Sequence, residues 1–155
     1  MNRFLHIVIF FTLIVLLSAC HGHRKTITDQ NGQVVDVKHH AGKWLVINYW
    51  APWCEPCKHE LPEINQFYLT HRDTVDVYGV DYDYPSQGKL KALAQTMGLD
   101  YPQLVQDPAQ KLHLTDIQGL PVTFIFDPNG KLVKTLVGPQ KIADLEAVIG
   151  MGITK

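Results

Sequence analysis

The order of apolar and turn-forming segments predicts an α/β domain in which helices flank a central mixed β-sheet. Two Asn-Gly turns each separate a pair of short β-rich runs, one pair near each end of the domain. Between these turns, apolar strands alternate with segments whose apolar residues recur at helical spacing. Hairpins supply antiparallel pairing and a strand–helix–strand unit supplies parallel pairing, so the sheet is expected to be mixed.

The N-terminal residues precede this fold. Asn2 and Arg3 lead into an apolar segment that is too short for a membrane-spanning helix, which needs about 20 residues. A charged start, a short apolar core and small residues before a cleavage point are typical of an export signal. We therefore expect residues 1–19 to be a signal peptide, residues 20–25 a polar tether and residues 26–155 the folded domain.

The end of the signal, Leu17-Ser18-Ala19-Cys20, resembles the lipobox of bacterial lipoproteins, in which the cysteine becomes the lipidated first residue. The resemblance implies anchoring in a lipid bilayer through Cys20, in the periplasm or elsewhere in the cell envelope. An uncleaved anchor and an ordinary secretion signal are alternatives, and both would still export the domain. With Cys20 lipidated, Cys54 and Cys57 are the thiols that remain.

Length and composition indicate the number of domains and the kinds of partner expected for the mature chain. Removal of residues 1–19 from the 155-residue chain leaves 136, enough for one domain with its own core. The formal net charge is −1 and no basic run exceeds Arg24-Lys25, which argues against nucleic acid binding. The absence of a long heptad pattern in the sequence favours a monomer.

The first half of the domain is predicted to be a hairpin, a buried strand and a long helix. The hairpin pairs residues 26–28 with residues 34–37. The apolar run from Trp44 to Trp50 is typical of a buried strand. The chain then turns helical at Cys54.

In the second half, Ser86 is placed to cap a helix that Gly98 ends. The second hairpin turns at Asn129-Gly130. The other predicted elements are strands at residues 75–80, 104–105, 122–126 and 132–137, and helices at residues 109–114 and 142–149.

The segment from Trp50 to Cys57 carries the strongest functional signal, because Cys54 and Cys57 lie where a strand becomes a helix. The first amides of a helix leave N–H groups unpaired and carry the positive end of its dipole, so a sulfur there is stabilised as a thiolate. A thiolate attacks disulfides, and a second thiol one turn later resolves the mixed disulfide. This spacing indicates thiol–disulfide exchange, which requires no cofactor.

Other interpretations of the cysteine pair fit less well. A structural disulfide usually joins residues farther apart, because a longer loop constrains the unfolded chain more. Zinc would need two further strong ligands, and the chain has no second cysteine pair. Haem attachment needs a histidine directly after the second cysteine, where this chain has Lys58.

These motifs resemble the thioredoxin superfamily and, within it, the TlpA/ResA-type membrane-tethered thiol–disulfide oxidoreductases. The match is carried by residues 50–57, by Pro62 as a helix-kinking proline, and by residues 119–124. The N-terminal hairpin and the insert before Gly119 also fit this subgroup. The resemblance implies a thioredoxin-like fold with a TlpA-type insert for residues 26–155.

The site residues follow from this resemblance. Cys54 is expected to be the exposed attacking thiol and Cys57 the buried resolving thiol. Pro121 corresponds to the family's cis-proline, which faces the dithiol; a trans proline that opens a strand is the alternative. Contact with a substrate segment is expected from Trp53, Pro56 and Leu120.

The predicted mechanism also needs a group that carries protons to and from the thiols. Glu55 resembles the family's active-site glutamate, proposed to pass protons to and from the thiols, although a solvated glutamate is also favoured at a helix start. Asn48 stands where thioredoxin has a buried aspartate, so Glu55 or water must act instead. An acidic residue between the cysteines disfavours a strongly stabilised thiolate, which favours a reductant.

The sequence therefore predicts an exported enzyme that reduces disulfides in partner proteins. The resemblance implies a disulfide-containing exported client, for example an apocytochrome c, and a membrane thiol electron donor. A disulfide-forming oxidase is one alternative. A carrier that holds copper(I) between Cys54, Cys57 and a histidine such as His113 is another, because thiolates favour copper(I).

Overall fold

The structure is a computed structural model that describes residues 26–40, 42–115 and 117–150. The predicted signal peptide and tether, with the lipidation site Cys20, lie outside the described residues. In the part that is described, no helix combines the length and the apolar character needed to cross a membrane.

Six strands and four helices form the described fold. The strands are β1 (Ile27–Thr28), β2 (Val34–Val35), β3 (Trp44–Trp50), β4 (Val75–Asp81), β5 (Val122–Phe126) and β6 (Leu132–Val137). The helices are α1 (Glu55–His71), α2 (Gln87–Thr96), α3 (Ala109–Leu112) and α4 (Ile142–Ile149). The predicted order of elements is confirmed, with one exception: the strand expected at residues 104–105 is only an isolated bridge between Leu104 and Asp29.

The central sheet has the strand order β4-β3-β5-β6, and β1 and β2 form a separate two-stranded sheet. β3 is parallel to β4 and antiparallel to β5, which confirms the predicted mixed sheet. The side chains of β3 are buried from Leu45 to Trp50, as expected for a strand covered on both faces. The buried strand β3 therefore fixes the position of the cysteine pair that follows it.

Helix α1 starts directly after Cys54, its N-cap residue, and continues through Pro62. Its inward face buries Cys57, Leu61, Ile64 and Phe67 together with one charged residue, Glu60. The predicted start of α2 is also found, since Ser86 is its N-cap residue, but the Ser86 side chain makes no capping hydrogen bond.

The packing of Gly79 gives a first testable prediction. A Cβ at Gly79 would lie 2.0 Å from Oε1 of Gln103, the atom that accepts a hydrogen bond from Nε1 of Trp50 at 2.9 Å. Gly79→Ala should lower the free energy of unfolding by about 3 kcal/mol, because it overpacks the core and breaks this bond. Denaturant unfolding measures the loss. In the control Gly88→Ala, a Cβ meets nothing within 4 Å, and the helix should gain up to about 1 kcal/mol.

Candidate active site

The two cysteines form a disulfide at the junction of β3 and α1. Their Cα atoms are 5.3 Å apart, so the structure holds the oxidised form of the pair. Sγ of Cys54 accepts a hydrogen bond from the backbone N–H of Cys57 at 3.3 Å. After reduction, this N–H and the helix dipole would stabilise a thiolate on Cys54.

The two sulfurs differ in accessibility in the predicted order. Cys57 is completely buried, whereas Cys54 is 5% exposed. Cys54 is thus the more accessible residue of the pair, but the expectation of an exposed thiol is wrong. The residues packed around Cys54 restrict the approach to one side.

That side is a cavity of about 490 Å³ that opens on Cys54. Its lining residues are Trp53, Cys54, Glu55, Pro56, Tyr82 and residues 117–120. The structure therefore brings the three predicted substrate-contacting residues, Trp53, Pro56 and Leu120, to one cavity. The Leu120–Pro121 peptide bond is cis, as the resemblance implied, and Pro121 directly follows the cavity wall.

Trp53 and its neighbours make this wall apolar and accessible. The Trp53 side chain is 64% exposed, and its indole Nε1 donates to the carboxylate of Asp83 at 3.0 and 3.1 Å. The sequence interpretation missed Tyr82 and Asp83. The available signal was their position at the carboxyl end of a strand parallel to β3, because loops that follow parallel strands meet at the same edge of a sheet.

Glu55 does not have the environment expected for a proton carrier. Its side chain is 70% exposed and its Oε2 lies 3.0 Å from Nζ of Lys58. The hydrogen bond and the positive charge of Lys58 lower the pKa of Glu55. An exposed carboxylate with a lowered pKa stays ionised near neutral pH, so it is a poor proton donor.

Glu60, unlike Glu55, has the buried environment expected for a proton carrier. It is fully buried one helical turn after Cys57, and residues three apart are neighbours on one face of a helix. Its Oε2 accepts from Nδ2 of Asn48 at 2.9 Å and its Oε1 from the backbone N–H of Gln140 at 3.1 Å. Burial raises the pKa of Glu60 to about 7, against the opposing effect of these hydrogen bonds.

Sequence reasoning missed Glu60, although two signals could have identified it. Glu60 follows Cys57 by three residues, and it occupies the apolar face on which Leu61 and Ile64 are buried. A charged residue on such a face is almost never buried without a partner. The partner is Asn48, which was singled out only because it cannot titrate.

The described residues contain no cluster of three potential metal ligands among histidine, cysteine, aspartate and glutamate. His113, the proposed third copper(I) ligand, is the C-cap of α3 and lines a cavity with Phe126 and Gly130. Because β5 is antiparallel to β3, this cavity lies at the opposite end of the sheet from the cysteines. The alternative of a copper(I) site in which His113 joins Cys54 and Cys57 therefore does not fit this geometry.

A disulfide at the end of a central strand, on the first turn of a helix and next to a cis-proline segment, defines the thioredoxin-like class of thiol–disulfide proteins. Comparisons with known proteins agree. The chain belongs to the AhpC/TSA family, whose family model matches residues 22–135.

Curated relatives specify the activity. The chain is 30% identical over 125 residues to the thiol-disulfide oxidoreductase ResA of Bacillus thuringiensis strain Al Hakam, a match that covers 79% of this chain and 71% of the relative. This confirms the resemblance to ResA-type proteins, and the chain is a redox enzyme of the thiol–disulfide oxidoreductase type.

Solved structures confirm the fold. StoA from Bacillus subtilis is 23% identical, with a TM-score of 0.67 over 80% of this chain and 94% of that one. A thiol:disulfide interchange protein of the thioredoxin family from Chlorobium tepidum TLS is 25% identical, with a TM-score of 0.62 over 80% and 89% of the two chains.

Proposed function

We propose that this oxidoreductase works outside the cytosol as a reductant of disulfides in exported proteins, through Cys54 and Cys57. The observation that carries the proposal is the placement of Cys54 as the N-cap of α1 and in the lining of the open cavity, whereas Cys57 lies inside the helix and is completely buried. A reachable sulfur on a helix N-terminus suits attack, and a buried one beside it suits resolution.

The reaction moves two electrons from the reduced pair to the client. The thiolate of Cys54 attacks one sulfur of the client disulfide and forms a mixed disulfide, and the client's other sulfur leaves as a thiolate. The thiol of Cys57 then loses its proton and attacks Sγ of Cys54. This step releases the second client sulfur and forms the Cys54–Cys57 bond, so the client is reduced and the enzyme is oxidised.

Glu60 is proposed to handle the proton of Cys57 in place of Glu55. A carboxyl whose pKa is raised to about 7 can both accept and return a proton near neutral pH. Its position one turn after Cys57 and its burial keep this exchange apart from bulk solvent. Asn48 and Gln140 hold the carboxyl in place.

The cavity beside Cys54 is proposed to hold the client segment around its cysteine. Trp53, Pro56 and Leu120 provide apolar contact, and Pro121 precedes the central strand β5 at the edge where the client would lie. An extended client segment could pair with the backbone at Leu120, as peptides do at exposed sheet edges.

Export and lipid attachment at Cys20 complete the proposal. An oxidising compartment supplies clients but re-oxidises a free dithiol, so a reductant there needs a membrane thiol electron donor. Apocytochrome c, whose haem-binding cysteines must be reduced, is one client that suits this chemistry. Repair of wrongly paired disulfides in exported proteins is the other.

One observation favours a second candidate, a disulfide-forming oxidase. The N–H bond to Sγ of Cys54 stabilises the reduced form of the pair, and a stabilised reduced form makes a dithiol protein more oxidising. Glu55 opposes this effect, because a carboxylate beside Cys54 disfavours the thiolate. The reduction potential distinguishes the two candidates.

We expect the Cys54–Cys57 pair to have a reduction potential below about −200 mV. The full chain is equilibrated in graded mixtures of reduced and oxidised glutathione, free thiols are alkylated, and the two states are counted by mass spectrometry. A Cys54→Ser chain gives the baseline for alkylation. A potential near about −120 mV would instead identify an oxidase, and a pair that never changes state would contradict both candidates.

A further inference from the structure

A cavity at the end of the sheet opposite the disulfide is lined by several side chains that carry nitrogen atoms. It has a volume of about 240 Å³ and lies between the loop before β3, helix α3 and the turn from β5 to β6. The side chains with nitrogen in its lining are Lys38, His40, Lys111, His113 and Asn129. The length of β3 separates it from the disulfide by about 20 Å.

His40 is the buried member of this group, with 6% of its surface exposed. Its Nδ1 is hydrogen-bonded to the backbone carbonyl of Lys43. Its Nε2 faces the turn from β5 to β6, because a Cβ built on Gly130 would lie 3.9 Å from it. Because that carbonyl can only accept, Nδ1 is the donor of the neutral ring, and Nε2, which has no hydrogen-bond partner among the described residues, is an acceptor at the cavity wall.

The charges at this cavity are positive. No carboxylate is present among its described lining residues, and in the described ranges neither Lys38 nor Lys111 has an ion-pair partner. The neighbouring carboxylates accept hydrogen bonds from backbone N–H groups of their own loops. Asp36 accepts from the backbone N–H of Lys38 at 3.1 Å, and Asp127 accepts two backbone N–H bonds of its own turn at 2.9 and 3.0 Å. The lysine ammonium groups and the amide of Asn129 are donors that match a phosphate group.

The start of the described chain indicates where such a phosphate would come from. Thr26, Lys38 and Lys111, together with Asp36, line a neighbouring groove beside the apolar hairpin of β1 and β2. Six residues lead from Cys20 to Thr26, a length that spans at most about 20 Å. A lipid on Cys20 would therefore keep this end of the domain beside the bilayer, where phospholipid headgroups supply phosphate.

We propose that this cavity binds the phosphate of an anionic phospholipid headgroup and thereby holds the domain with its disulfide facing away from the bilayer. The inference rests on lipid attachment at Cys20, as proposed above. It assigns to Lys38 and Lys111 a role that the exchange reaction does not use.

Lysine acylation of the full chain in vesicles tests the proposal. The chain is reconstituted into phosphatidylcholine vesicles with or without phosphatidylglycerol, acylated briefly and analysed by mass spectrometry. Lys38 and Lys111 should react about fivefold more slowly when phosphatidylglycerol is present, because cationic side chains are attracted to an anionic surface. Lys58, beside the disulfide, and Lys91, exposed on α2, are internal controls whose rates should not change.

Equal acylation of Lys38 and Lys111 in the two kinds of vesicle would overturn the proposal. Protection by inorganic phosphate added to phosphatidylcholine vesicles would overturn the lipid source in favour of a free phosphate. A chain that does not float with phosphatidylcholine vesicles would contradict the anchor alone. In that case, the chain is floated with phosphatidylglycerol vesicles. If the wild-type chain floats and a Lys38→Gln/Lys111→Gln chain does not, the result would support phosphate binding at the cavity. If both chains float equally well, the result would overturn phosphate binding at the cavity.

Discussion

Replacing Cys54 by serine is expected to lower disulfide exchange at least about 10³-fold, since a hydroxyl cannot take the place of the attacking thiolate. Exchange is measured as reduction of a small disulfide and of a protein disulfide by the reduced chain. The Cys54→Ser variant should reduce neither disulfide, because both reactions need a nucleophile at the mouth of the cavity that opens on Cys54.

Replacing Cys57 by alanine should give a different result, which separates the two sulfurs. Cys54 can still attack, but the mixed disulfide is not resolved, so the client remains covalently bound to the enzyme. The trapped complex is detected by electrophoresis without reductant. Cys20→Ser is the matched control, because it removes a cysteine outside the exchange reaction, and the rate in detergent should stay unchanged.

The same pair of variants can contradict the proposed order of events. If Cys54→Ala trapped clients while Cys57→Ala did not, Cys57 would be the attacking residue despite its complete burial. If neither variant trapped a protein, the client would have to be a small disulfide rather than a protein.

Local sequence signals predicted the elements that position this site. The Asn-Gly turns, the apolar run of β3 and the helical spacing after Cys54 are short-range patterns, and each corresponds to an element of the structure. Trp50 was expected in the core and is fully buried. These features depend on chain-local preferences, so a single sequence is enough to recognise them.

Features that depend on contacts between distant segments were not predicted. Leu104 bridges to Asp29 and Gln103 bridges to Gly79, but neither contact extends into a strand. Ser86 begins α2 without a side-chain cap, since its backbone alone takes the N-cap conformation. Such outcomes depend on the shape of the neighbouring segments, which spacing along the chain does not reveal.

The placement of the buried carboxyl is the most informative of these differences. Asn48 on β3 occupies the position at which thioredoxin has an aspartate, and the carboxyl here comes from α1 as Glu60. The Asn48 amide donates to Glu60 and to Oγ1 of Thr123 at 3.0 Å. An aspartate at position 48 would place two carboxyls in contact, so the asparagine on the strand and the glutamate on the helix form one unit.

Glu60→Gln is expected to change the pH dependence of stability. The pKa of Glu60 in the folded chain, about 7, lies above its ordinary value of 4.5, so between these values the folded chain binds more protons than the unfolded chain. The free energy of unfolding should therefore fall as pH rises through this range, by on the order of 3 kcal/mol. The variant should lack this decline, which denaturant unfolding at several pH values measures.

The same substitution should slow exchange with a protein disulfide about 10²-fold near neutral pH, the usual effect of losing a positioned proton carrier. The matched control is Glu55→Gln, which changes a carboxyl between the two cysteines that is exposed and paired with Lys58. The exchange rate of Glu55→Gln should stay within about twofold of the wild-type rate, because a surface carboxylate whose pKa is lowered remains ionised at pH 7 and exchanges few protons. If Glu55→Gln greatly lowered the exchange rate and Glu60→Gln did not, Glu55 would be the proton carrier. A bend in the wild-type pH–rate profile near pH 7 that disappears only in Glu60→Gln would identify the buried carboxyl as the group that exchanges the proton of Cys57.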